Sequence, residues 1–191
     1  MFCDSFGGSL CFKVLRYNNL KFSNQQSAIS KTQSGILLIN LGTPDTPHTR
    51  EVRIFLRELL SCKRVLDINP VWRWLLVNFV ILPFRSRKSA KAYRKIWLED
   101  GSPLLVYSQK LKNALGEQLS EEKIPVELGM QCGRPSLKTA IAKLRGQNCD
   151  QIIVLPLYPQ YASSSYGAAI EDLYKVVLND WNIPYLRIIP P

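Results

Sequence analysis

Few residues of this sequence could hold a metal ion or form a disulfide framework. The chain has one histidine, His48, and its five cysteines include no C-x-x-C pair. An odd number of cysteines without paired spacing argues against a disulfide scaffold and against a zinc or iron–sulfur cage. The cysteine pattern therefore favours a reducing compartment, and His48, in a turn rich in Thr and Pro, is typical of a surface residue.

Long apolar runs and nucleotide-binding motifs are also lacking. A membrane-spanning helix needs about 18 uninterrupted apolar residues, and the nearest run, residues 75–84, is interrupted by Asn78. The Gly-Thr-Pro turn at 42–44 is too short for a Rossmann or P-loop motif. No Ser/His/Asp arrangement or carboxylate pair indicates a centre for nucleophilic or acid–base catalysis. We therefore expect a soluble or peripheral protein that carries a binding surface.

Acidic residues are in short supply, with 15 Asp and Glu against 25 Lys and Arg, which gives a net charge of +10. This excess suits an anionic partner, whether nucleic acid, phospholipid or a carboxylate-bearing ligand. Twelve of the cations lie between Arg50 and Lys95, and they flank the aromatic and aliphatic residues 72–84. Apolar surface edged by cations suits a flat apolar dianion or an anionic bilayer better than a nucleic-acid backbone.

The chain divides into an N-terminal extension, residues 1–33, and one domain, residues 34–191. The extension is rich in Ser and Asn and shows no sustained period. It is interpreted as a flexible segment, and a transit peptide and a mis-assigned start codon are the two alternatives. The domain alternates apolar strands, predicted at 36–39, 126–130, 152–157 and 186–189, with amphipathic helical patterns. This order predicts an α/β fold, a parallel sheet with helices on both faces.

Ligands of such sheets bind in the crevice beyond the C-terminal ends of the strands. Three loops leave those ends, at 40–46, 131–136 and 158–166. The third is rich in Tyr and Ser and precedes a predicted helix, whose N-terminus attracts anions. The residues predicted to line this cleft are Gln131, Tyr158, Gln160 and Ser164.

Four segments together resemble the bacterial-type ferrochelatases in order and spacing. They are GILLINLGTPD at 35–45, DGSPL at 100–104, LGM at 128–130 with Gly133 and PSL at 135–137, and LPLYPQY at 155–161. The resemblance runs from about residue 34 to the last residue. It implies a chelatase-like, Rossmann-like domain, the first of two similar domains, with the porphyrin in the cleft between them.

The resemblance also implies roles for individual residues and for the whole chain. Leu41 would contact the macrocycle, and Arg85, Tyr93 and Ser102 would lie on the porphyrin-binding side. The substrates would be ferrous iron and protoporphyrin IX, with no covalently bound cofactor and no iron–sulfur cluster in this half. In the family, proton transfer and metal handling are attributed to a histidine and a glutamate. Both residues would lie beyond Pro191. We therefore expect a haem-biosynthesis lyase whose N-terminal half, alone, is inactive.

Two departures from the family pattern keep other functions open. Cys132 stands where relatives commonly have an aromatic residue, and Ala162-Ser163-Ser164-Ser165 replaces a more usual serine-cysteine-serine-threonine. The alternatives are a non-catalytic porphyrin-binding or decayed fragment, and a chelatase for another metal. The expected location is cytoplasmic, with peripheral membrane contact through residues 72–84. A separate C-terminal domain is an expected partner, and nucleic acid is not.

Overall fold

A buried apolar run after Gly35 forms the central strand of a four-stranded sheet. The structure is a computed structural model that describes residues 33–179 and 183–191. All three strand pairings are parallel, in the order β2-β1-β3-β4. The strands are β1 (Gln33–Thr43), β2 (Val126–Gly133), β3 (Cys149–Pro156) and β4 (Tyr185–Ile188). The α/β class and the parallel sheet predicted from the sequence are confirmed.

Six α-helices and two π-helical segments surround the sheet within the described part of the chain. The first three helices and the first π-helical segment are α1 (Thr49–Ser61), α2 (Pro70–Leu75), Leu76–Ile81 and α3 (Leu82–Ile96). The others are α4 (Pro103–Gln118), α5 (Leu137–Gly146), the π-helical segment Ser163–Gly167 and α6 (Ala168–Val177). None of the described helices is long and apolar enough to cross a bilayer.

The alternation of side chains along β1 divides the core between the two faces of the sheet. Leu37 and Ile39 pack with residues of α5 and α6, whereas Ile36 and Leu38 pack with residues of α4. All four side chains are at most 1% exposed. Because helices cover both faces, the strand can be apolar at every position, which explains the continuous run seen in the sequence.

Helices α1 to α3 form a separate layer, here called the helical cap and defined as residues 49–96. Its core includes Val52, Phe55 and Leu82, and it packs against Cys132 at the end of β2. A backbone contact fixes the same junction, since the N–H of Gly133 donates to Glu58 Oε2 at 2.9 Å. The cap therefore lies at the C-terminal edge of the sheet, where the sequence predicts the binding crevice.

Residues 72–84 are helical, although no helical period is visible in their sequence. Six of the large apolar side chains around this segment are exposed: Val71, Trp72, Trp74, Phe79, Val80 and Phe84. A segment that is apolar on its exposed side as well as its buried side shows no amphipathic stripe. The helical pattern in the sequence becomes visible only at Ser89, whereas helix α3 begins at Leu82.

Some predictions fall on residues that the structure does not describe. The extension assigned to residues 1–33 lies outside the described residues except for Gln33, which begins β1. The apolar pattern of the sequence predicts that the last helix runs from Gly167 to Trp181. It is α-helical over Ala168–Val177, and Trp181 lies outside the described residues.

The exits of β1 and β2 approach each other so closely that two glycines are required there. Gly42 has φ +99° and Gly133 has φ +83°. A Cβ on Gly42 would lie 1.7 Å from the carbonyl oxygen of Cys132, and one on Gly133 would lie 2.6 Å from that of Thr43. These glycines therefore permit the strand ends to meet at the edge of the crevice.

We predict that Gly42→Ala lowers the free energy of unfolding by roughly 2 kcal/mol or more, because it combines a positive φ with a backbone clash. Gly116 in α4 is the matched control, since nothing lies within 4 Å of its Cβ position. Gly116→Ala should raise the free energy of unfolding by about 0.5–1 kcal/mol. Urea unfolding of the two variants measures both values, and equal effects would contradict the close approach of the strand ends.

Candidate functional site

The crevice at the C-terminal edge of the sheet contains a cavity of about 690 Å³. This volume is within the range of about 300–1,000 Å³ found for small-molecule sites. Its walls come from the end of β1, the loops after β1 and β2, α1 and α4, and they include Thr43, Pro44, Glu51, Ile54, Phe55, Glu58, Leu105, Arg134 and Ser136. Thr43 is 3% exposed, and its hydroxyl has no hydrogen-bond partner among the described residues.

Leu41, predicted to contact a macrocycle, lies half-buried near the end of β1. The preceding residue, Asn40, holds this part of the strand. Its side-chain oxygen accepts from the N–H of Leu41 at 2.8 Å, and its Nδ2 donates to Ser108 Oγ at 3.1 Å. Leu41 is two residues beyond Ile39, so alternation places its side chain on the face covered by α5 and α6.

Arg85 is exposed on α3 and forms no ion pair with any other described residue. It lines a shallow groove of about 560 Å³ together with Phe84, Lys88, Ser89 and Ala92. The groove combines two cations, a hydroxyl and an aromatic ring. This combination suits an amphiphilic anion, since the carboxylate or phosphate end can pair with the cations while the apolar end contacts Phe84.

Tyr93 lies on the same helix and is half-buried between two aromatic rings. Its ring meets those of Phe55 and Trp97 edge to face, with centroids 6.4 Å and 6.2 Å away. Burial raises the pKa of its hydroxyl. The phenol is therefore neutral at physiological pH and can donate a hydrogen bond.

Ser102 immediately precedes α4 and is 3% exposed. Its hydroxyl does not cap the helix, although its carbonyl accepts from the N–H of Val106 at 2.9 Å. A serine directly before a proline in the sequence predicts a capping hydroxyl here, and this prediction is wrong, because the Ser102 side chain forms no capping hydrogen bond. Of the four residues that the resemblance places against the porphyrin, Arg85 is exposed, Leu41 and Tyr93 are half-buried, and Ser102 is buried.

The four residues predicted to line the cleft separate into two pairs. Gln131 and Tyr158 are partly buried and meet directly, since the hydroxyl of Tyr158 donates to Gln131 Oε1 at 3.2 Å. Gln160 and Ser164 are exposed, and their side chains form no hydrogen bond with another described residue. Ser164 is in the π-helical segment Ser163–Gly167, where the N–H of Gly167 donates to the carbonyl of Ala162 at 3.1 Å.

A polar network that the sequence did not reveal continues from Gln131. Its Nε2 donates to Asp172 Oδ2 at 3.1 Å, and Lys175 Nζ bridges Asp172 and Glu171 at 3.1 and 2.9 Å. Arg64 of the helical cap pairs with Glu171. The i,i+3 and i,i+4 spacings around Lys175 could have been noticed in the sequence. Arg64 and Glu171 are 107 residues apart in the sequence, and no pattern in the sequence predicts their contact.

This network sets the charge of α6 beside the crevice. Hydrogen bonds from Lys175 and Arg64 lower the pKa of the Glu171 carboxyl to about 2. Arg64 Nη1 also donates to Ser163 Oγ at 3.3 Å. The network therefore ties the cap, the loop after β3 and α6 together, and its acids are already paired.

Metal ligands are not clustered in the part of the chain that the structure describes. No group of three or more His, Cys, Asp or Glu side chains could hold an ion there. Cys62, Cys132 and Cys149 are free thiols. Burial, followed by the charges of Glu58 and Asp172, raises the pKa of Cys132 to about 12. This cysteine is therefore a neutral core residue.

Comparison with known proteins gives the same family across the whole domain. The ferrochelatase family model matches residues 33–191. A ferrochelatase of Coxiella burnetii (strain Dugway 5J108-111) is 50% identical over 139 residues, 73% of this chain and 39% of the relative. Ferrochelatases of Marinomonas sp. (strain MWYL1) and Legionella pneumophila (strain Paris) are 47% and 48% identical, each over 81% of this chain.

The chain is shorter than these relatives, since it spans 48% of the Marinomonas protein and 46% of the Legionella protein. It thus spans about half the length of the curated relatives it matches, or somewhat less. The family match extends from Gln33, the first residue of β1, to Pro191, and this range includes every described strand of the sheet. On this evidence of sequence and fold, the chain belongs to the ferrochelatase family.

Proposed function

We propose that this chain carries the porphyrin-binding half of a protoporphyrin ferrochelatase, which inserts ferrous iron into protoporphyrin IX to give protohaem. The family match over residues 33–191 is the observation that carries the proposal. The cavity at the C-terminal edge of the sheet and the cations of α3 support it. A second domain, supplied separately or in a longer chain, would complete the cleft.

Each proposed porphyrin contact uses a simple property of the side chain. The guanidinium of Arg85, which lacks an ion pair among the described residues, would pair with a propionate. The hydroxyls of Tyr93 and Ser102 would hydrogen-bond the ligand, and Leu41 would give apolar contact. Gln131, Tyr158, Gln160 and Ser164 would line the cleft beside them.

Contacts at the rim of the ligand would contribute to metal insertion by bending it. Insertion requires the flat ring to distort so that its nitrogen lone pairs face the incoming ion. Binding energy from contacts remote from the reacting nitrogens can supply that distortion. The proposal therefore assigns binding and orientation to this chain, and it assigns no proton transfer or metal handling to its residues.

We predict that the purified 191-residue chain binds protoporphyrin IX but forms no haem from it and ferrous iron under anaerobic conditions. Co-expression with the C-terminal domain of a relative should restore haem formation. Tryptophan quenching measures binding, and haem absorbance measures turnover. Lack of porphyrin binding would overturn the proposed function. Binding without turnover, even with the added domain, would favour a non-catalytic porphyrin-binding protein.

Arg85→Ala should weaken the binding of protoporphyrin IX by about three- to tenfold, because it removes a charge-assisted hydrogen bond to a propionate. Arg50→Ala is the control, since Arg50 is 88% exposed on α1 and its partner, Glu51 Oε1, is 3.9 Å away. Titration of both variants by Soret absorbance measures the difference. Equal losses would show that charge acts only as a diffuse field.

The exposed apolar side chains of the helical cap support a second part of the proposal, contact with an anionic bilayer. Trp72 and Phe84 are 68% and 79% exposed. Beside them, Arg85, Arg87 and Lys88 are exposed cations without an ion pair among the described residues. Aromatic residues flanked by cations are typical of interfacial membrane contacts. The predicted cytoplasmic location, at the membrane surface, belongs to this proposal.

We expect the chain to bind phosphatidylserine vesicles more tightly than phosphatidylcholine vesicles, and added salt to reduce this difference. The double variant Trp72→Ser/Phe84→Ser should lose more than tenfold in vesicle binding, since a buried aromatic side chain contributes on the order of 1.5 kcal/mol or more. Leu178→Ser, which alters a side chain 65% exposed at the C-cap of α6, is the control. Sedimentation with vesicles measures the bound fraction of each protein. If both variants bound to vesicles as tightly as the unaltered chain, the proposal would be contradicted.

A further inference from the structure

Three polar side chains form a directed chain of hydrogen bonds at the C-terminal edge of the sheet. The hydroxyl of Tyr158 donates to Gln131 Oε1 at 3.2 Å, and Gln131 Nε2 donates to Asp172 Oδ2 at 3.1 Å. Asp172 Oδ1 accepts from Lys175 Nζ at 3.1 Å. This series of hydrogen bonds thus connects the ionised carboxylate of Asp172 to the phenol of Tyr158.

The carboxylate of Asp172 determines which group donates in each of these hydrogen bonds. An ionised carboxylate only accepts hydrogen bonds, so Asp172 must face the NH₂ group of Gln131. The amide is planar, so its oxygen then faces Tyr158. An amide oxygen only accepts, so the phenol must donate. The reversed amide would place an oxygen against the Asp172 carboxylate, which is unfavourable.

Because the Tyr158 hydroxyl donates its proton to Gln131, its oxygen can only accept a hydrogen bond from any further partner. Its single proton is committed to Gln131, and its remaining lone pairs can only accept. The phenol is partly exposed, and no second hydrogen-bond partner occurs among residues 33–179 and 183–191. Burial and the nearby Cys132 and Asp172 raise the pKa of Tyr158, which keeps this proton in place.

The hydrogen bond between Tyr158 and Gln131 also lies at the C-terminal edge of the sheet, where ligands of such folds bind. Tyr158 follows β3, Gln131 lies two residues before the end of β2, and β1 lies between these two strands in the sheet. Leu41, near the end of β1, is on the same face by alternation, because Asn40 and Gly42 pair with Met130 and Cys132. The phenol therefore reaches across the central strand close to Leu41, one of the proposed porphyrin contacts.

We propose that Tyr158 is a specificity-determining residue whose oxygen accepts a hydrogen bond from a ring N–H of the unmetallated porphyrin, with Gln131 and Asp172 as positioning residues. This inference rests on the proposed function and deepens it. A free-base porphyrin has two ring N–H donors, and its metal complex has none. The contact therefore favours substrate over product and is lost when the metal enters the ring, which assists release.

The direction of the bond can be tested without any ligand. The ratio of two ring bands in the tyrosine Raman spectrum distinguishes a phenol that donates from one that accepts. The difference between the full chain and Tyr158→Phe isolates this residue among the eight tyrosines. We expect a donating phenol, and a shift towards accepting in Asp172→Asn. An accepting phenol in the unaltered chain would overturn the inference and leave the proposed function untouched.

The ligand preference is tested with free-base protoporphyrin IX and its palladium(II) complex, whose square-planar ion has little affinity for an axial oxygen. Soret titrations give the ratio of the two affinities. Tyr158→Phe should lower the preference for the free base by about fivefold, the change expected for one neutral hydrogen bond. Asp172→Asn, which frees the amide to turn, should lower it in the same direction. Tyr174→Phe, at an exposed position on α6, should leave it unchanged.

Three other outcomes overturn the inference in different ways. An unchanged ratio in Tyr158→Phe, with both ligands bound, overturns the inference alone. An equal fall in Tyr174→Phe shows that the effect is not specific to Tyr158 and also overturns it. If the unaltered chain binds neither porphyrin, the proposed function fails and the inference fails with it. Circular dichroism of each variant checks that these conservative changes leave the fold intact.

Discussion

The burial of β1 between helices on both of its faces is the constraint on which the rest of the structure depends. Ile36, Leu37, Leu38 and Ile39 are at most 1% exposed, and the strand pairs with both β2 and β3. All three strands run in the same direction, so their C-terminal ends meet at one edge. Packing in the core therefore decides where the loops that carry the candidate site emerge.

At that edge the molecule presents two electrostatically different sides. On the helical cap, Arg85 and Lys88 have no ion-pair partner among the residues that the structure describes, and they lie next to exposed aromatic rings. The side formed by α6 carries acids that Lys175 and Arg64 already pair. An anionic group would therefore favour the cap, whereas a neutral hydrogen-bond donor suits the side of Gln131 and Tyr158. A porphyrin dianion, with carboxylates at its rim and N–H groups at its centre, has both features.

The attachment of the cap links these two sides. Arg64 spans from the cap to Glu171 and Ser163, while Glu58 holds the backbone of Gly133. These contacts are few and partly exposed, so each is weak by itself. The apolar core of the cap, with side chains from α1 and α3, also includes Cys132 at the end of β2. Cys132, which is smaller than the aromatic residue expected there, is 6% exposed within this core.

The sequence by itself determined the class of fold, the parallel sheet and the family, because these depend on local runs and on short motifs whose order is visible along the chain. It also placed Gln131 and Tyr158 at one edge, since parallel strands end together. Only the tertiary structure decided that these two side chains bond, that Asp172 sets the direction of that bond, and that Arg64 reaches Glu171. Such contacts join residues that are far apart in the sequence, and periodic patterns in the sequence predict only contacts between near neighbours. The helical state of residues 72–84 was decided in the same way, because side chains exposed on the cap leave no amphipathic pattern to predict it.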